Sequence, residues 1–459
     1  MTTKQIDRSL LALVVAGIAA RIIGLFHFGF TFDEAFTAMT AREPLSSIGH
    51  RLALTDSHPP LDYFLRHFLA VHGVQNWLFR LPSLVLGIAS LVVFAKWMRT
   101  KGVAGVVATF VFSLSTYGIY YGVAARMYAA MLLVGVLIAW AADSWLRQQR
   151  TRWALIAGGA LTAGLFLNAG AVLVAPSVVL FPGLRRDRAS WIWRSVTAFA
   201  GVLYAALWLG AFREQARHAS NSWVPFTTPA HVVSVLGEMV TYNAGAKLPL
   251  VFCVIIAVAI VAKSDAVLCR VFVWLGVAPF VLGALLGVRF HLMLPRTFAA
   301  VSWMPALGVG LVVAWVLSVQ RAAAVALCAL LFLCVTDSTV QALRETSGDD
   351  GGSAMAYVRA RTKPGDAVGI FPFWLGPELE WTNAVHRPGP EYELDGTRFK
   401  EPVTAFTVDS KHWNGNMWLI EPSVYGAQLG PTHPCGATRL IDGHRIRCLH
   451  FAASRRLRR

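Results

Sequence analysis

Residues 9–34 read SLLALVVAGIAARIIGLFHFGFTFDE, a long apolar run that ends in two adjacent carboxylates. An apolar block of about 18 or more residues predicts a segment that spans a lipid bilayer. The run follows Lys4 and Arg8, an arrangement that secretory signal peptides also show. Because the run is long for a signal peptide and lacks a small-residue cleavage site, we predict that it is a retained first span.

Similar apolar blocks follow along much of the chain. Of the 459 residues, 56% are hydrophobic and only 14% are charged, whereas an ordinary soluble domain is roughly 25% charged. The pattern predicts an α-helical polytopic membrane protein with about eleven transmembrane helices. We place these helices at 9–30, 77–96, 102–120, 126–146, 153–168, 170–182, 195–212, 247–262, 271–288, 297–318 and 322–340.

The charges in the loops predict the orientation of the spans. With the N-terminus in the cytoplasm, every cytoplasmic loop is short and basic, as the positive-inside rule requires. The formal net charge of +16 then reflects contact with anionic lipid, since no nucleic-acid-binding motif accompanies it. We therefore predict a multi-pass protein of the plasma membrane whose longer segments, 31–76, 213–246 and the tail from about 341, are extracytoplasmic.

The extracytoplasmic segments predict the division into domains. Loop 31–76 has apolar residues at helical spacing, which is typical of amphipathic helices at a membrane surface, and we assign it to one transmembrane domain over 1–340. Residues 341–459 are rich in Gly, Pro and charge and predict a small extracytoplasmic α/β domain. Cys435 and Cys448 lie in this domain, where an oxidising compartment permits a disulfide. The sequence leaves two alternatives for Cys435 and Cys448: a disulfide between them or two free thiols.

The first candidate site is the pair Asp33-Glu34, directly outside the first span. Ionised groups near hydrocarbon are costly, so they usually line a polar cavity or a path. A carboxylate in such a place can act as general base on a sugar hydroxyl within hydrogen-bond distance. The alternative interpretation is an acidic pair that marks the end of a helix at the interface.

The second candidate is the segment DSHPPLDYF at 56–64. Its two prolines fix the backbone with little loss of entropy. His58 and Asp62 flank them on a rigid turn, and we predict that both line the pocket or contact the acceptor. The alternative is an interfacial helix with Pro at its first positions.

Arginines in two other segments predict an anion site. Arg126 and Tyr128 begin one span, while His291 and Arg296 precede another, all on the side that lacks the basic loops. An arginine at the mouth of a membrane protein needs a partner, and a phosphate offers bidentate hydrogen bonds. The alternatives are a snorkelling arginine with a belt tyrosine at 126–128 and a structural ion pair between Arg296 and the carboxylate pair.

Together these segments predict one polar pocket at the lipid interface, with a general base beside a phosphate cradle. That arrangement suits transfer from a lipid-phosphate donor. Positive charge about 4 Å from the departing oxygen contributes on the order of 4 kcal/mol at an effective dielectric constant near 20. This free energy corresponds to roughly two to three decades of rate.

The sequence resembles the GT-C superfamily of membrane glycosyltransferases, in particular the protein O-mannosyltransferase and aminoarabinose-transferase-like branch. Asp33-Glu34, HPPLDYFL at 58–65, ARMYAAMLL at 125–133 and LPRTFAAVSWMPAL at 294–307 carry the resemblance. Each motif alone is unspecific. The resemblance to the superfamily depends on the order of the motifs and on their predicted position on the same side of the membrane. The layout covers about residues 9–320.

The resemblance implies a polyprenyl-phosphate-linked sugar as donor and a direct displacement that inverts the anomeric carbon. By this resemblance Asp33 is the general base and Glu34 orients Asp33 or the acceptor. Arg126, Tyr128 and Arg296 hold the donor phosphate.

By the same resemblance His58 lines the pocket. Family members often have Arg-Tyr where this chain has Arg296-Thr297, and this departure concerns the second half of the phosphate site.

The substrates are less defined by the sequence. Mannose is the first expectation for the sugar and arabinose the second, and the acceptor is a glycan, a glycolipid or a protein. No cofactor is expected, a divalent metal is left open, and no nucleic acid is expected. The alternative function is a lipid or polysaccharide transporter or flippase, for which inverted repeats and a site at mid-membrane would be typical.

Overall fold

The structure is a computed structural model whose described residues form two compact units. The first unit comprises Met1–His27, Glu43–Phe68 and Trp77–Arg344, and the second comprises Phe28–Arg42, Leu69–Asn76 and Glu345–Arg459. The structure describes residues 1–183, 186–218, 224–241, 244–344, 357–358, 360–361, 367–370, 415–422, 433–434, 438–441 and 444–451.

The described part of the chain is mostly helical. Its α-helices are α1 Thr3–His27, α2 Phe32–Ala41, α3 Leu45–Thr55, α4 Leu61–Val71, α5 Asn76–Phe79, α6 Leu81–Met98, α7 Gly102–Leu114, α8 Thr116–Tyr120, α9 Tyr128–Gln148, α10 Thr151–Leu167, α11 Ala171–Val179, α12 Arg188–His218, α13 Pro229–Glu238, α14 Ala244–Ser264, α15 Ala266–Val271, α16 Ala278–Gly287, α17 Trp303–Val319 and α18 Arg321–Arg344. Further helical turns are the 3-10 helices Arg99–Lys101 and Pro295–Val301 and the π-helix Phe272–Val277.

Seven helical segments of the described chain are long and apolar enough to cross a membrane, or up to eight if a pair bent by 64° is one span. They are Thr3–His27, Leu81–Leu114, Tyr128–Gln148, Arg188–Gln215, Lys247–Ser264, Ala266–Gly287 and Arg321–Val340, with the bent pair Pro295–Val301 and Trp303–Val319. The protein is a multi-pass helical membrane protein, as the sequence predicts. The number of eleven spans stays a prediction.

One of these segments, Leu81–Leu114, contains both α6 and α7. The two helices are separated by the 3-10 helix Arg99–Lys101. Helix α7 begins at Gly102, whose φ of +59° is a conformation that glycine adopts at little cost. The helices also pack against each other. The chain therefore turns back here, at the boundary that the sequence predicts between 77–96 and 102–120.

A second break lies between α10 and α11. Helix α10 ends at Leu167, and the Asn168 side chain accepts a hydrogen bond from the backbone N–H of Gly170 at 2.7 Å. A side chain that bonds the backbone in this way competes with helix continuation. The predicted short helices at 153–168 and 170–182 are therefore separate elements.

Helix α9 is much more deeply buried than α12: 78% of the residues in its most apolar stretch are buried, against 22% for α12. It packs against α6, α10 and the 3-10 helix Pro295–Val301. A Cβ atom added to Gly135 would lie 1.7 Å from the carbonyl oxygen of Ala300. Only a glycine allows this approach, and small residues at helix contacts are typical of membrane bundles.

Helices α3 and α4 occur where the apolar spacing of the first loop predicts helices. In α4 the polar side chains of Asp62 and Arg66 are buried, while Phe64, Leu65 and Phe68 are exposed. This pattern is the reverse of that of a helix on a soluble protein. It fits a helix whose apolar face contacts lipid at the membrane interface.

The described part of the second unit contains α2 and a five-stranded sheet. The strands are β1 Ala367–Ile370, β2 Gly415–Pro422, β3 His433–Pro434, β4 Arg439–Ile441 and β5 His444–Phe451. Strand β1 pairs with β2 in parallel, and β2, β3 and β4 each pair with β5 in antiparallel fashion. The predicted domain boundary at 340 and the extracytoplasmic α/β domain stay predictions.

The cysteines of the tail are only partly described. Cys448 in β5 is buried and disulfide-bonded. Cys435 lies outside the described residues, so the pairing of Cys435 with Cys448 stays a prediction. Cys253, Cys269, Cys328 and Cys334 are free thiols.

Candidate functional site

The buried face of α4 begins the candidate site. Arg66 Nε donates to Asp62 Oδ2 at 2.9 Å, one helical turn away. Other guanidinium nitrogens of Arg66 donate to the Phe79 carbonyl at 2.8 Å, to Ser83 Oγ at 2.7 Å and to the Arg126 carbonyl at 3.3 Å. The Asp62–Arg66 ion pair therefore fixes α4 to the segment that carries Arg126. Arg66 is not among the site residues predicted from the sequence.

A second cluster on α4 contacts the Arg126 side chain itself. Tyr63 donates its hydroxyl proton to Asp56, and Arg126 Nη1 donates to Tyr63 Oη at 3.1 Å. Arg126 Nη1 also lies 3.9 Å from Asp56 Oδ2. Tyr63 and Arg126 are 1% and 5% exposed. The guanidinium is thus held in a buried place by a phenol and, more loosely, by a carboxylate.

Burial also sets the proton state of Tyr63. It raises the pKa of the hydroxyl well above its ordinary value, although the positive charge of Arg126 opposes this shift. A phenolate without water is costly, so Tyr63 remains a neutral donor to Asp56 at every physiological pH.

Hydrogen bonds fix the backbone position of Arg126 just before α9. Ser83 Oγ lies 2.6 Å from the Ala124 carbonyl oxygen and 3.3 Å from the Arg126 carbonyl oxygen. The backbone N–H of Arg126 donates to the Ala124 carbonyl at 2.7 Å, which makes a tight turn immediately before Tyr128, the first residue of α9. The N-terminus of a long helix carries a partial positive charge and unpaired N–H groups. Arg126 thus stands where an anion is favoured.

A chain of tyrosines joins the two arginine segments of the sequence analysis. The ring of Tyr128 packs edge-on against Tyr121 at 4.8 Å between centroids, and Tyr121 packs against Tyr117 at 4.5 Å. The Tyr117 hydroxyl donates to the Pro295 carbonyl at 3.0 Å, and Arg296 follows in the same 3-10 helix. The structure thus brings the segments of Arg126, Tyr128 and Arg296 into one neighbourhood.

His291 contributes to the loop before this 3-10 helix. Its Nδ1 is hydrogen-bonded to the Val224 carbonyl, and its ring lies 4.2 Å from that of Phe226. These contacts hold the segment around 224–226 against the loop that leads to Arg296. The predicted pocket role of His291 stays a prediction.

His58 lies next to the Asp56 cluster in sequence, and its backbone is anchored. Gln215 Nε2 lies 3.2 Å from the carbonyl oxygens of both His58 and Leu52. Helix α12, which carries Gln215, therefore holds the turn of the two prolines. The role of the His58 ring in the pocket stays a prediction.

Asp33 and Glu34 lie in the first turn of α2, in the second unit. Glu34 is buried, and its Oε2 accepts hydrogen bonds from the Thr31 N–H at 3.0 Å and the Thr31 hydroxyl at 3.3 Å. These contacts are one half of a capping box, which fixes a helix N-terminus. The Asp33 carbonyl accepts from the Thr37 hydroxyl at 2.9 Å. The convergence of Asp33 with the arginines stays a prediction.

The residues that hold Arg126 are not recognisable as its partners from the sequence alone. Asp56 and Tyr63 belong to the segment DSHPPLDYF, but nothing in the sequence shows that they meet Arg126. The spacing of Asp62 and Arg66 by four residues does signal an ion pair on a helix. Among the described residues, no group of three or more His, Cys, Asp or Glu side chains is placed to bind a metal ion.

No protein-family model matches the sequence, and no curated protein matches it. Solved structures do match. The oligosaccharyltransferase of Archaeoglobus fulgidus, in complex with Zn and sulfate, superposes with a TM-score of 0.51 and 10% identity, over 82% of this chain and 61% of that protein. Its apo form gives a TM-score of 0.51, 12% identity and coverage of 83% and 64%. The chain therefore spans less than two thirds of the length of that protein.

The ArnT protein of Cupriavidus metallidurans bound to undecaprenyl phosphate matches over nearly the full length of both chains. The TM-score is 0.56 at 11% identity, and the match covers 98% of this chain and 98% of that one. At such identities the likeness concerns the fold. The chain thus shares the fold of these solved structures, in agreement with the fold that the resemblance to the GT-C superfamily predicts.

Proposed function

We propose that the protein is a membrane glycosyltransferase that moves a sugar from a polyprenyl-phosphate-linked donor to an acceptor hydroxyl on the extracytoplasmic face. The observation that carries the proposal is the buried Arg126 at the start of α9, joined through tyrosines to the segment of Arg296. The ArnT structure with a similar fold is bound to undecaprenyl phosphate, and such a lipid is the donor class that we propose here.

In this proposal Arg126, Tyr128 and Arg296 hold the donor phosphate. The Arg126 guanidinium lies 3.9 Å from Asp56 Oδ2, and a phosphate would offer it two acceptor oxygens for bidentate hydrogen bonds. The helix dipole of α9 adds to the attraction. Positive charge at this place stabilises the negative charge that develops on the departing phosphate.

Asp33 is the proposed general base, and Glu34 orients it. The Asp33 carboxylate takes the proton of the acceptor hydroxyl, and the acceptor oxygen forms the new bond to the anomeric carbon. The bond between that carbon and the phosphate oxygen breaks, and its electron pair leaves with the phosphate. Attack opposite the leaving group inverts the anomeric centre. The capping contacts of Glu34 with Thr31 support its orienting role, since they fix the first turn of α2.

The remaining assignments concern the pocket and the substrates. We propose that His58, Asp62 and His291 line the pocket or contact the acceptor, and the ion pair of Asp62 with Arg66 supports a further role of Asp62 in fixing α4. Mannose is the first candidate sugar and arabinose the second. The acceptor is a glycan, a glycolipid or a protein, and the protein resides in the plasma membrane. No cofactor is required, and a divalent metal is left open.

The direct test is transfer by the purified protein in nanodiscs, with radiolabelled polyprenyl-phosphate mannose or arabinose and crude lipid or cell-wall acceptors. We expect label in the acceptor with one of the two donors. Asp33→Asn is expected to abolish transfer while undecaprenyl phosphate still binds, and Asp7→Asn, an exposed carboxylate paired with Arg99, is the matched control. Movement of donor lipid across the bilayer without transfer would support a flippase, and normal turnover of Asp33→Asn would refute the base assignment.

A further inference from the structure

Arg21 is a buried arginine that the proposed mechanism does not use. It lies in α1, its side chain is 0% exposed, and its Nη1 donates to the carbonyl oxygens of Gly17 at 3.0 Å and Ser113 at 2.9 Å. Nε and Nη2 meet no hydrogen-bond acceptor in the described part of the chain. Within those same residues no carboxylate forms an ion pair with Arg21. Such a cation is costly in a membrane protein and usually has a functional reason.

The contact with Ser113 lies at a helix break. Helix α7 ends at Leu114 and α8 begins at Thr116, with Ser115 between them in an extended conformation. The last carbonyls of α7 therefore lack partners within the helix. At membrane depth such groups must be satisfied by the protein itself. A guanidinium is well suited, because the C-terminus of a helix carries partial negative charge.

Two side chains from different helices cover this break. Arg21 of α1 donates to the Ser113 carbonyl, and the Thr339 hydroxyl of α18 lies 2.5 Å from the Leu114 carbonyl oxygen. The break at Ser115 is thus held from two sides. Neither helix carries a residue of the proposed phosphate site, so both contacts act on the site only through the segment that starts at the break.

The guanidinium also touches the chain beyond the break. A Cβ atom on Gly118 would lie 3.3 Å from Arg21 Nη2, and one on Gly122 would lie 2.8 Å from Arg21 Nε. The two glycines therefore leave room for the guanidinium against α8 and the turn that follows. Gly122 is four residues before Arg126, and Tyr117 and Tyr121 belong to the same stretch. Arg21 thus contacts the stretch that carries the donor-binding side chains.

We propose that Arg21 is a positioning residue for the donor-phosphate site. By covering the end of α7 and packing against Gly118 and Gly122, it fixes the course of residues 116–127 and hence the place of Arg126. This inference rests on the proposed function. It predicts that Arg21 acts through Arg126, and that its loss affects donor use more than folding.

The first test is Arg21→Met, which keeps a long side chain and removes the charge. Arg21→Met removes the desolvation cost of a buried cation but also its hydrogen bonds to the Gly17 and Ser113 carbonyls, so these effects oppose each other and the melting temperature should change little. Misplacement of Arg126 should lower kcat/KM for the lipid donor by about ten- to a hundredfold and weaken binding of undecaprenyl phosphate. Arg99→Met, at an exposed ion pair with Asp7, is the matched control and should behave as wild type.

The second test measures coupling. If Arg21 acts through Arg126, the double variant Arg21→Met/Arg126→Met binds undecaprenyl phosphate no more weakly than Arg126→Met alone. Wild-type donor kinetics in folded Arg21→Met, or losses that multiply in the double variant, would overturn the inference. If Arg21→Met does not fold, the test uses Thr339→Val, which removes the other contact at the break. This variant is expected to lower kcat/KM for the lipid donor by about threefold, which corresponds to part of the free energy of one hydrogen bond. The decrease is expected in the protein with Arg126 and not in the Arg126→Met background.

The outcome separates this inference from the proposed function. An inactive wild-type protein that also fails to bind undecaprenyl phosphate contradicts the proposed function. An active wild-type protein with unaltered Arg21→Met and Thr339→Val variants contradicts only the positioning role.

Discussion

The two ends of α9 carry charged clusters of different kinds. Near its C-terminus the buried Asp143 accepts from Trp97 Nε1 at 3.0 Å, from Lys101 Nζ at 3.0 Å and from Arg147 Nε at 2.9 Å. Arg147 in turn donates to Asp265 at 2.6 Å. Two carboxylates and two cations are matched at hydrogen-bond distance, so this end of the helix is electrostatically complete.

The N-terminal end is organised around cations and phenols. Arg126 contacts Tyr63 at 3.1 Å and Asp56 at 3.9 Å, and the tyrosines at 117, 121 and 128 lead to the next arginine segment. A network of carboxylates and cations at hydrogen-bond distance resists rearrangement, whereas the proposed role of Arg126 requires it to contact a ligand phosphate. We infer that the C-terminal end serves stability, and the proposed function assigns donor binding to the N-terminal end.

The largest expected effect is on stability at the C-terminal end of α9. Asp143→Ala leaves Lys101 and Arg147 next to a buried site without their shared carboxylate, which costs about 3–5 kcal/mol of unfolding free energy. Thermal unfolding in nanodiscs should show a large fall in melting temperature, with normal turnover per folded molecule. Asp7→Ala, which breaks an exposed pair with Arg99, should change little. Equal stability of the two variants would contradict the structural role of this end.

The next effect is on catalysis at the N-terminal end. Arg126→Met removes the positive charge proposed to stabilise the departing phosphate, so transfer should fall by roughly two to three decades, equivalent to about 3–4 kcal/mol of activation free energy. The melting temperature should fall little. The matched variant is Arg147→Met on the same helix, for which we expect a lower melting temperature and an unchanged transfer rate per folded molecule. A transfer rate that drops equally in both would remove the distinction between the two ends.

A smaller effect is expected at the phenol that holds Arg126. Tyr63→Phe removes one hydroxyl between Arg126 and Asp56, and loss of a hydrogen bond of about 1.4 kcal/mol corresponds to roughly tenfold weaker donor binding. Titration with undecaprenyl phosphate measures this affinity in Tyr63→Phe and in wild type. Tyr204→Phe is the control, because the buried Tyr204 hydroxyl meets no partner among the described residues. Unchanged donor affinity in Tyr63→Phe would show that Arg126 does not need this contact.

Much of the fold follows from the sequence, because apolar blocks, loop charges and glycine breaks act locally. The helical membrane class, the turn before Gly102 and the break at Asn168 are of this kind. The number of spans does not follow, since several helices are too short or too bent for an unambiguous count. The grouping of Phe28–Arg42 with the tail rather than with the spans is a long-range property that no local pattern encodes.

The site follows from the sequence only in part. Arg126, Tyr128 and Arg296 stand out because charged residues on the side without basic loops require a reason. The link between them through Tyr117 does not stand out, because tyrosines in a membrane chain have many roles. Arg21 carries a visible signal, a charge inside an apolar run, but its partner is a backbone carbonyl of α7. Backbone partners leave no mark in a sequence.

The smallest effect concerns pH at the C-terminal end of α9. Burial alone would raise the pKa of Asp265, but the Leu268 N–H and the Arg147 guanidinium lower it below its ordinary value. A lowered folded-state pKa means that this contribution to stability is present above the unfolded-state value of about 3.9 and is lost as pH falls through the folded-state pKa. Asp265→Asn keeps a side chain that can cap α15 and should cost about 0.5 kcal/mol at neutral pH. Its melting temperature should approach that of wild type as pH falls from about 7 to about 3. Parallel curves for wild type and Asp265→Asn over this range would mean that Asp265 does not hold Arg147, and that Asp143 alone completes this end of the helix.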